Sequence, residues 1–140
     1  MEHNIVKDCQ NIDFNEVRAL IKSAGLTERP VELIQKAFEN SYVSVFIFSA
    51  EKLVGVGRAI SDGAYEAGVY DIAVLPKHQG KGIGRMIMDE IFRCLPGINI
   101  ILYARPGVED FYKMMGFTKL LTGMIRFVNA DVMKSRGFVE

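Results

Sequence analysis

Residues 69–85 read Val-Tyr-Asp-Ile-Ala-Val-Leu, then Pro76-Lys77-His78, then Gln79-Gly80-Lys81-Gly82-Ile83-Gly84-Arg85. A β-rich run stops at a proline, passes through a loop with three glycines and opens into an apolar-periodic segment. That order predicts strand, loop and helix start. The first-turn N–H groups of a helix have no partners within it and, with the positive end of the helix dipole, favour an anion such as phosphate. Glycine lets the backbone come close to it. Two familiar phosphate loops are excluded by residue: counting from Gly80, the third glycine of a dinucleotide fingerprint is replaced by Arg85, and no Gly-Lys-Ser/Thr follows at Walker spacing. Asp71 is the one charge in an otherwise apolar strand and so a candidate for moving a proton. His3 and His78 read as surface histidines, with nothing in sequence to pair them.

The elements that must position the loop follow from the surrounding pattern. Residues 4–7 suggest a short first strand. Asp13 and Glu16 have capping-box spacing, and Phe14, Val17, Leu20, Ile21 and Ala24 keep helical period until Gly25 offers a C-terminal cap. Pro30 suits the first turn of a second helix carrying Leu33, Ile34, Ala37 and Phe38. Residues 42–49 and 53–60 form a hairpin, in which Gly55 and Gly57 allow a bulge or a close backbone approach. Asp62-Gly63 marks the next turn, and residues 66–75 feed the loop, so three antiparallel strands precede it. In residues 82–94, Ile83, Met86, Ile87, Ile91 and Cys94 lie on one stripe, widened by Met88 and Phe92, while Arg85 and Asp89 pair on the wetter side. Residues 99–104 are nearly all apolar and predict a buried parallel strand reached by a right-handed crossover. A short helix ends at Gly116, residues 117–120 begin a last strand, residues 124–128 allow one more, and residues 131–140 carry no assignment.

Gln-x-x-Gly-x-Gly at residues 79–84, after Ile72-Ala73-Val74-Leu75-Pro76, resembles the acetyl-CoA pyrophosphate loop of the GNAT superfamily of N-acetyltransferases. A second motif follows in the family's order: Asn99-Ile100-Ile101-Leu102-Tyr103-Ala104, then Val-Glu-Asp-Phe-Tyr-Lys-Met-Met-Gly-Phe at residues 108–117. The resemblance covers residues 53–120 well and the rest loosely. It implies an α/β fold with a mixed, splayed sheet of about six or seven strands flanked by about four helices. It also implies acetyl-CoA as cosubstrate, no metal, and direct acetyl transfer to a primary amine in a ternary complex. By the same resemblance, the backbones of Ile72, Ala73 and Val74 bond the pantetheine arm. Gln79, Gly80, Lys81, Gly82, Ile83 and Gly84 hold the pyrophosphate, with Lys81 or Arg85 adding charge; a solvated loop lysine is the competing reading of Lys81.

Tyr112 matches the family tyrosine that sits by the cofactor sulfur and protonates the departing thiolate, while Phe111 and Phe117 read as core. The sequence departs from the family at Gly68, which occupies a position often used for the proton acceptor. Asp71 takes that role here with Glu66 as runner-up; a structural carboxylate paired with Arg58 is the competing reading of Asp71. Asp62, Tyr65 and Glu28 are candidates to line the acceptor pocket. A non-catalytic acyl-CoA sensor or interaction module would keep the glycine loop and lose the sulfur-side donor, so the presence of Tyr112 favours an enzyme.

Composition bounds the partners. A chain of 140 residues is one ordinary domain, without repeats or linkers, able to bury roughly two-thirds of its unfolded surface. With 17 basic and 17 acidic residues there is no net field to hold nucleic acid or an anionic membrane, so anion binding must be local. The partner expected is a small-molecule or peptide amine, and a homodimer is compatible with the family. Cys9 and Cys94 form no disulfide framework or metal spacing, and no apolar run approaches the ~18 residues of a membrane span. The expected location is cytoplasmic.

Overall fold

Apolar residues in the middle of the chain cover both faces of a sheet, and helices drawn from either side of it supply the covers. In the computed structural model, which describes residues 2–140, five strands form one sheet in the order β1 (His3–Val6), β2 (Val43–Ser49), β3 (Lys52–Ser61), β4 (Glu66–Val74) and β5 (Asn99–Ile101). The first three pairings are antiparallel; β4 and β5 are parallel, in the register Glu66↔Asn99 to Gly68↔Ile101. The helices are α1 (Phe14–Ser23), α2 (Val31–Glu39), α3 (Ile83–Cys94), α4 (Glu109–Lys113) and α5 (Ala130–Ser135). Two compact units result, one running up to Leu102 and the other Tyr103–Glu140.

In the first unit, α1 and α2 bury Phe14, Leu20, Ile34 and Phe38 against Phe46, Val56 and Ala73, with the rings of Phe14, Phe38 and Phe46 in mutual contact at 5.5–6.1 Å between centroids. Asp13 caps α1 by accepting from Asn15 N–H at 2.9 Å. The capping box expected there is incomplete, because the Glu16 carboxylate accepts instead from Leu53 N–H of β3 at 3.2 Å and so ties the helix to the sheet. The other face is covered by α3. A Cβ on Gly55 would stand 2.8 Å from Ile83 Cγ2, and one on Gly57 2.6 Å from Ile87 Cγ2. The two glycines therefore let the helix settle directly on the backbone of β3.

The strand count falls short of the six or seven expected, and the helices are five where about four were expected. Residues 117–120 and 124–128, expected as strands, make no ladder among the described residues and run as turns and irregular chain. Their apolar side chains stay outside: Leu121 is 89 % exposed and Met124 97 %. β-propensity measures how a side chain fits a pleated, half-buried surface, and without a paired neighbour it does not make a strand. The strand expected over 99–104 stops at Ile101 and is not buried, since it is a sheet edge bonded on one side only; Ile101 is 50 % exposed. All of α5 but its first residue falls in residues 131–140, which sequence left unassigned, and its unit packs Tyr103, Phe127 and Phe138 edge to face.

Candidate functional site

The pairing of β4 with β5 ends at Gly68, whereas β4 runs on to Val74. From Val69 onward that edge of β4 pairs with no strand among the described residues, so a splay opens where sequence reading places Ile72, Ala73 and Val74. Their opposite edge is engaged by β3, in the register Ala73↔Val56 and Val74↔Gly55. Just before them the ladder slips: Val56 faces Ala73 but Arg58 faces Tyr70, leaving Gly57 opposite both Asp71 and Ile72. This is a β-bulge, and Asp71 in it has φ 58°.

Beyond β4, a single 3-10 turn at Pro76–His78 redirects the chain, and the Gln79 side chain donates from Nε2 to the Val74 carbonyl at 3.2 Å, tying the loop to the strand end. Gly80 and Gly82 are left-handed, with φ 78° and 83°, and a Cβ on either would meet only open space. Gly82 is the N-cap of α3 and accepts the first helical bond, from Met86 N–H at 3.0 Å. Ile83 is buried beneath the helix, whereas Lys81 and Arg85 are exposed; Arg85 pairs with Asp89 at 3.8 Å, as the spacing predicts. The result is a helix N-terminus that opens outward without side chains over it, the geometry that suits a phosphate.

Asp71 does not stand alone. Its Oδ2 accepts from Arg58 Nε at 2.7 Å, and the two side chains are 17 % and 14 % exposed. Arg58 Nη1 also donates to Ser41 Oγ at 3.3 Å, and the guanidinium packs on the rings of Phe38 and Tyr70, 5.9 and 5.3 Å from their centroids. Sequence reading raised the Arg58 pairing but not the Ser41 hydroxyl beside it. The runner-up Glu66 accepts from Asn99 Nδ2 at 3.5 Å.

Two carboxylates proposed for an acceptor pocket have structural partners. Asp62 Oδ1 accepts N–H bonds from Ala64, Tyr65 and Glu66 at 2.7–3.2 Å, which hold its carboxyl below the ordinary range, and Glu28 pairs with Arg18 at 3.0 Å. Tyr65 is 67 % exposed. His78 is shifted below the ordinary histidine value, by desolvation first and then by Lys81 and Lys52.

In the second unit, Tyr112 lies on α4 with its ring against Phe111 and Phe117, at 5.0 and 5.8 Å. The Gly-Phe of the motif has a local cause. Gly116 (φ 93°) donates its N–H to Lys113 C=O at 3.1 Å and Phe117 donates to Tyr112 C=O at 3.1 Å, a helix-ending motif whose hydrophobic contact is the Tyr112–Phe117 ring pair. Burial pushes the Tyr112 phenol above its ordinary value, partly offset by Arg105, so it keeps its O–H at neutral pH.

A cavity of about 600 Å³ lies elsewhere in the first unit, lined by Lys7, Cys9, Tyr42 and Cys94 among others and by none of residues 71–85.

The splayed strand, loop and helix place the protein among acyl-CoA-dependent acetyltransferases. Residues 41–119 match the acetyltransferase (GNAT) domain, and the chain belongs to that family. It is 31 % identical over 121 residues to an uncharacterized ycf52-like N-acetyltransferase of Prochlorococcus marinus, covering 81 % of this chain and 67 % of that one. It is 34 % identical over 113 residues to the chloroplastic serotonin N-acetyltransferase 2 of Oryza sativa, covering 76 % of this chain and 56 % of the relative. It thus spans only about half to two-thirds of the length of these two relatives. A solved GNAT-family acetyltransferase from Streptococcus pneumoniae superposes with TM-score 0.77 at 28 % identity, over 90 % of this chain and 98 % of that one. No helix among the described residues is long and apolar enough to cross a membrane.

Proposed function

We propose that the protein moves the acetyl group of acetyl-CoA directly to a primary amine, both substrates being bound together. The observation that carries this is the open N-terminus of α3, with left-handed Gly80 and Gly82 leading into it, soon after a strand whose ladder with β5 stops at Gly68 while the strand itself runs on to Val74. In this reading the N–H groups of residues 79–84 take the pyrophosphate, with Lys81 or Arg85 adding charge, and the backbones of Ile72, Ala73 and Val74 extend the sheet onto the pantetheine arm. Holding thioester and amine together supplies the orientation that direct transfer needs.

The amine attacks the thioester carbonyl, the carbon–sulfur bond breaks, and Tyr112 gives its proton to the departing thiolate. The ammonium proton leaves to Asp71 or Glu66, directly or through water. Asp71 Oδ2 is engaged by Arg58, so a proton taken up by this carboxylate weakens its ion pair with the guanidinium.

The serotonin N-acetyltransferase among the relatives makes an arylalkylamine a reasonable acceptor to try first. The test is CoA release over a panel containing serotonin, spermidine, free amino acids and a lysine peptide, with calorimetric acetyl-CoA binding measured without amine. Release with one amine class supports the proposal and names the acceptor. Tight acetyl-CoA binding with no release from any amine replaces the enzyme by an acyl-CoA sensor, and absence of binding overturns both.

A further inference from the structure

Asp71 occupies a bulge position with φ 58°, a backbone region where glycine is the usual resident and aspartate one of the few tolerated alternatives. A non-glycine residue stays there only when its surroundings hold it. Here the hold is visible. The carboxylate is bound by Arg58 Nε at 2.7 Å, and Arg58 is itself fixed by Ser41 Oγ at 3.3 Å and by the rings of Phe38 and Tyr70. Gly57 faces the bulge, and a Cβ there would lie 2.5 Å from Ile72 Cδ1, so the bulge packs against bare backbone of the opposing strand. The bulge takes in Ile72 together with Asp71, and the register of β4 on β3 resumes at Ala73. How the N–H and C=O groups of residues 72–74 are aimed therefore depends on whether residue 71 stays left-handed.

We propose that Arg58 is a positioning residue for the cofactor: acting through Asp71, it pins the β4 bulge and so orients the backbone of Ile72, Ala73 and Val74. The inference rests on the acetyl-CoA reading above for its consequence, but the pinning itself does not. Asp71 then has a task that needs its charge and its tolerance of left-handed backbone, separate from any part in proton removal.

Glycine reaches the left-handed region without a side-chain anchor, and alanine does not. The experiment compares Arg58→Met, Arg58→Met/Asp71→Gly and Arg58→Met/Asp71→Ala, reading acetyl-CoA affinity by calorimetry and the backbone chemical shifts of residues 70–74 by NMR. Arg58→Met should weaken acetyl-CoA at least tenfold and move those shifts. Arg58→Met/Asp71→Gly should bring both within about threefold or close to wild type, while Arg58→Met/Asp71→Ala should not. Both double variants lack the buried charge, so they remain informative if Arg58→Met alone does not fold. Equal acetyl-CoA affinity in the glycine and alanine double variants would overturn the proposal, as would unmoved shifts at residues 71–74 in a folded Arg58→Met protein. If the wild-type protein binds no acetyl-CoA, the functional reading fails while the shifts still decide the pinning.

Discussion

Gly82→Asp tests the phosphate assignment with little confusion from packing. A Cβ added at Gly82 meets nothing within 4 Å, so the substitution starts into open space without a backbone clash. Its backbone term comes from φ 83°, where a non-glycine L-residue costs roughly 1–2 kcal/mol, with aspartate among the residues that visit the region most readily. The melting temperature should therefore fall by only a few degrees. The charge acts on the ligand. A carboxylate about 5 Å from one phosphate charge is opposed by roughly 1 kcal/mol in water-like surroundings and roughly 3 kcal/mol at the effective dielectric of a protein surface. Acetyl-CoA affinity should drop about five- to 150-fold. Gly82→Ala carries at least as much backbone strain without the charge and should stay within about threefold of wild type. Titration calorimetry reads both, and the gap between the two variants should narrow as salt is raised. An unchanged dissociation constant in folded Gly82→Asp protein would place the pyrophosphate elsewhere. An alanine variant as weak as the aspartate one would show that loop conformation, not charge, is what the site needs.

Asp71→Asn keeps both a left-handed backbone preference and an oxygen to accept from Arg58, but cannot take a proton. Retained turnover in steady-state assays would confine Asp71 to positioning, whereas a loss at neutral pH that recovers at high pH would identify a base. Tyr112→Phe removes only the phenolic O–H and should lower turnover by ~10²–10⁴-fold with acetyl-CoA binding nearly unchanged. A thioester donor with a more acidic leaving thiol should suffer less, and equal losses with both donors would remove Tyr112 from the leaving-group step. Since burial raises the Tyr112 phenol, activity dependent on it should persist past the ordinary tyrosine range before falling as pH rises. The Glu90 carboxyl is drawn from 4.5 to about 2, chiefly by the Arg93 hydrogen bond and then by Lys7, against desolvation. Its stabilisation is thus complete above about pH 4.5 and lost as pH falls toward 2, so Glu90→Gln should lower the melting temperature at pH 7 yet flatten its acid decline.

Where sequence pattern and local geometry express the same physics, the chain was legible. The stripe of Ile83, Ile87 and Ile91 defines α3, the glycines before it mark its open end, and Gly116-Phe117 ends α4 by a motif that needs only neighbouring residues. The readings that failed concern partners distant in sequence. Glu16 has capping-box spacing, but β3 presents Leu53 N–H as an alternative donor that no local pattern announces. Residues 117–120 and 124–128 have the composition of strands but find no ladder among the described residues, and a strand cannot be satisfied by its own residues as a helix can. The left-handed state of Asp71 was hidden because its cause is an arginine on the neighbouring strand. The nearest signal was Gly57, a glycine within a strand of valines, which marked the place where two backbones and a helix converge.

Two exceptional backbone positions bracket the proposed cofactor path, and they are held differently. At Gly82 the left-handed state needs no support, and the absence of a side chain leaves the helix N-terminus open to an anion. At Asp71 the same backbone region is occupied by a side chain that must be anchored, and the anchor reaches through Arg58 to Ser41 and Phe38 at the end of α2. The loop end of the path should therefore tolerate changes in α1 and α2, because its own contacts, Gln79 to the Val74 carbonyl and Ile83 against Gly55, are made to the sheet and not to those helices. The strand end should not, because displacing α2 displaces Ser41 and with it the guanidinium that holds the bulge. Variants in the α2 core, such as Phe38→Leu, should then weaken the reaction through residues 72–74 before they disturb the glycine loop, a dependence that follows from which of the two positions carries a side chain.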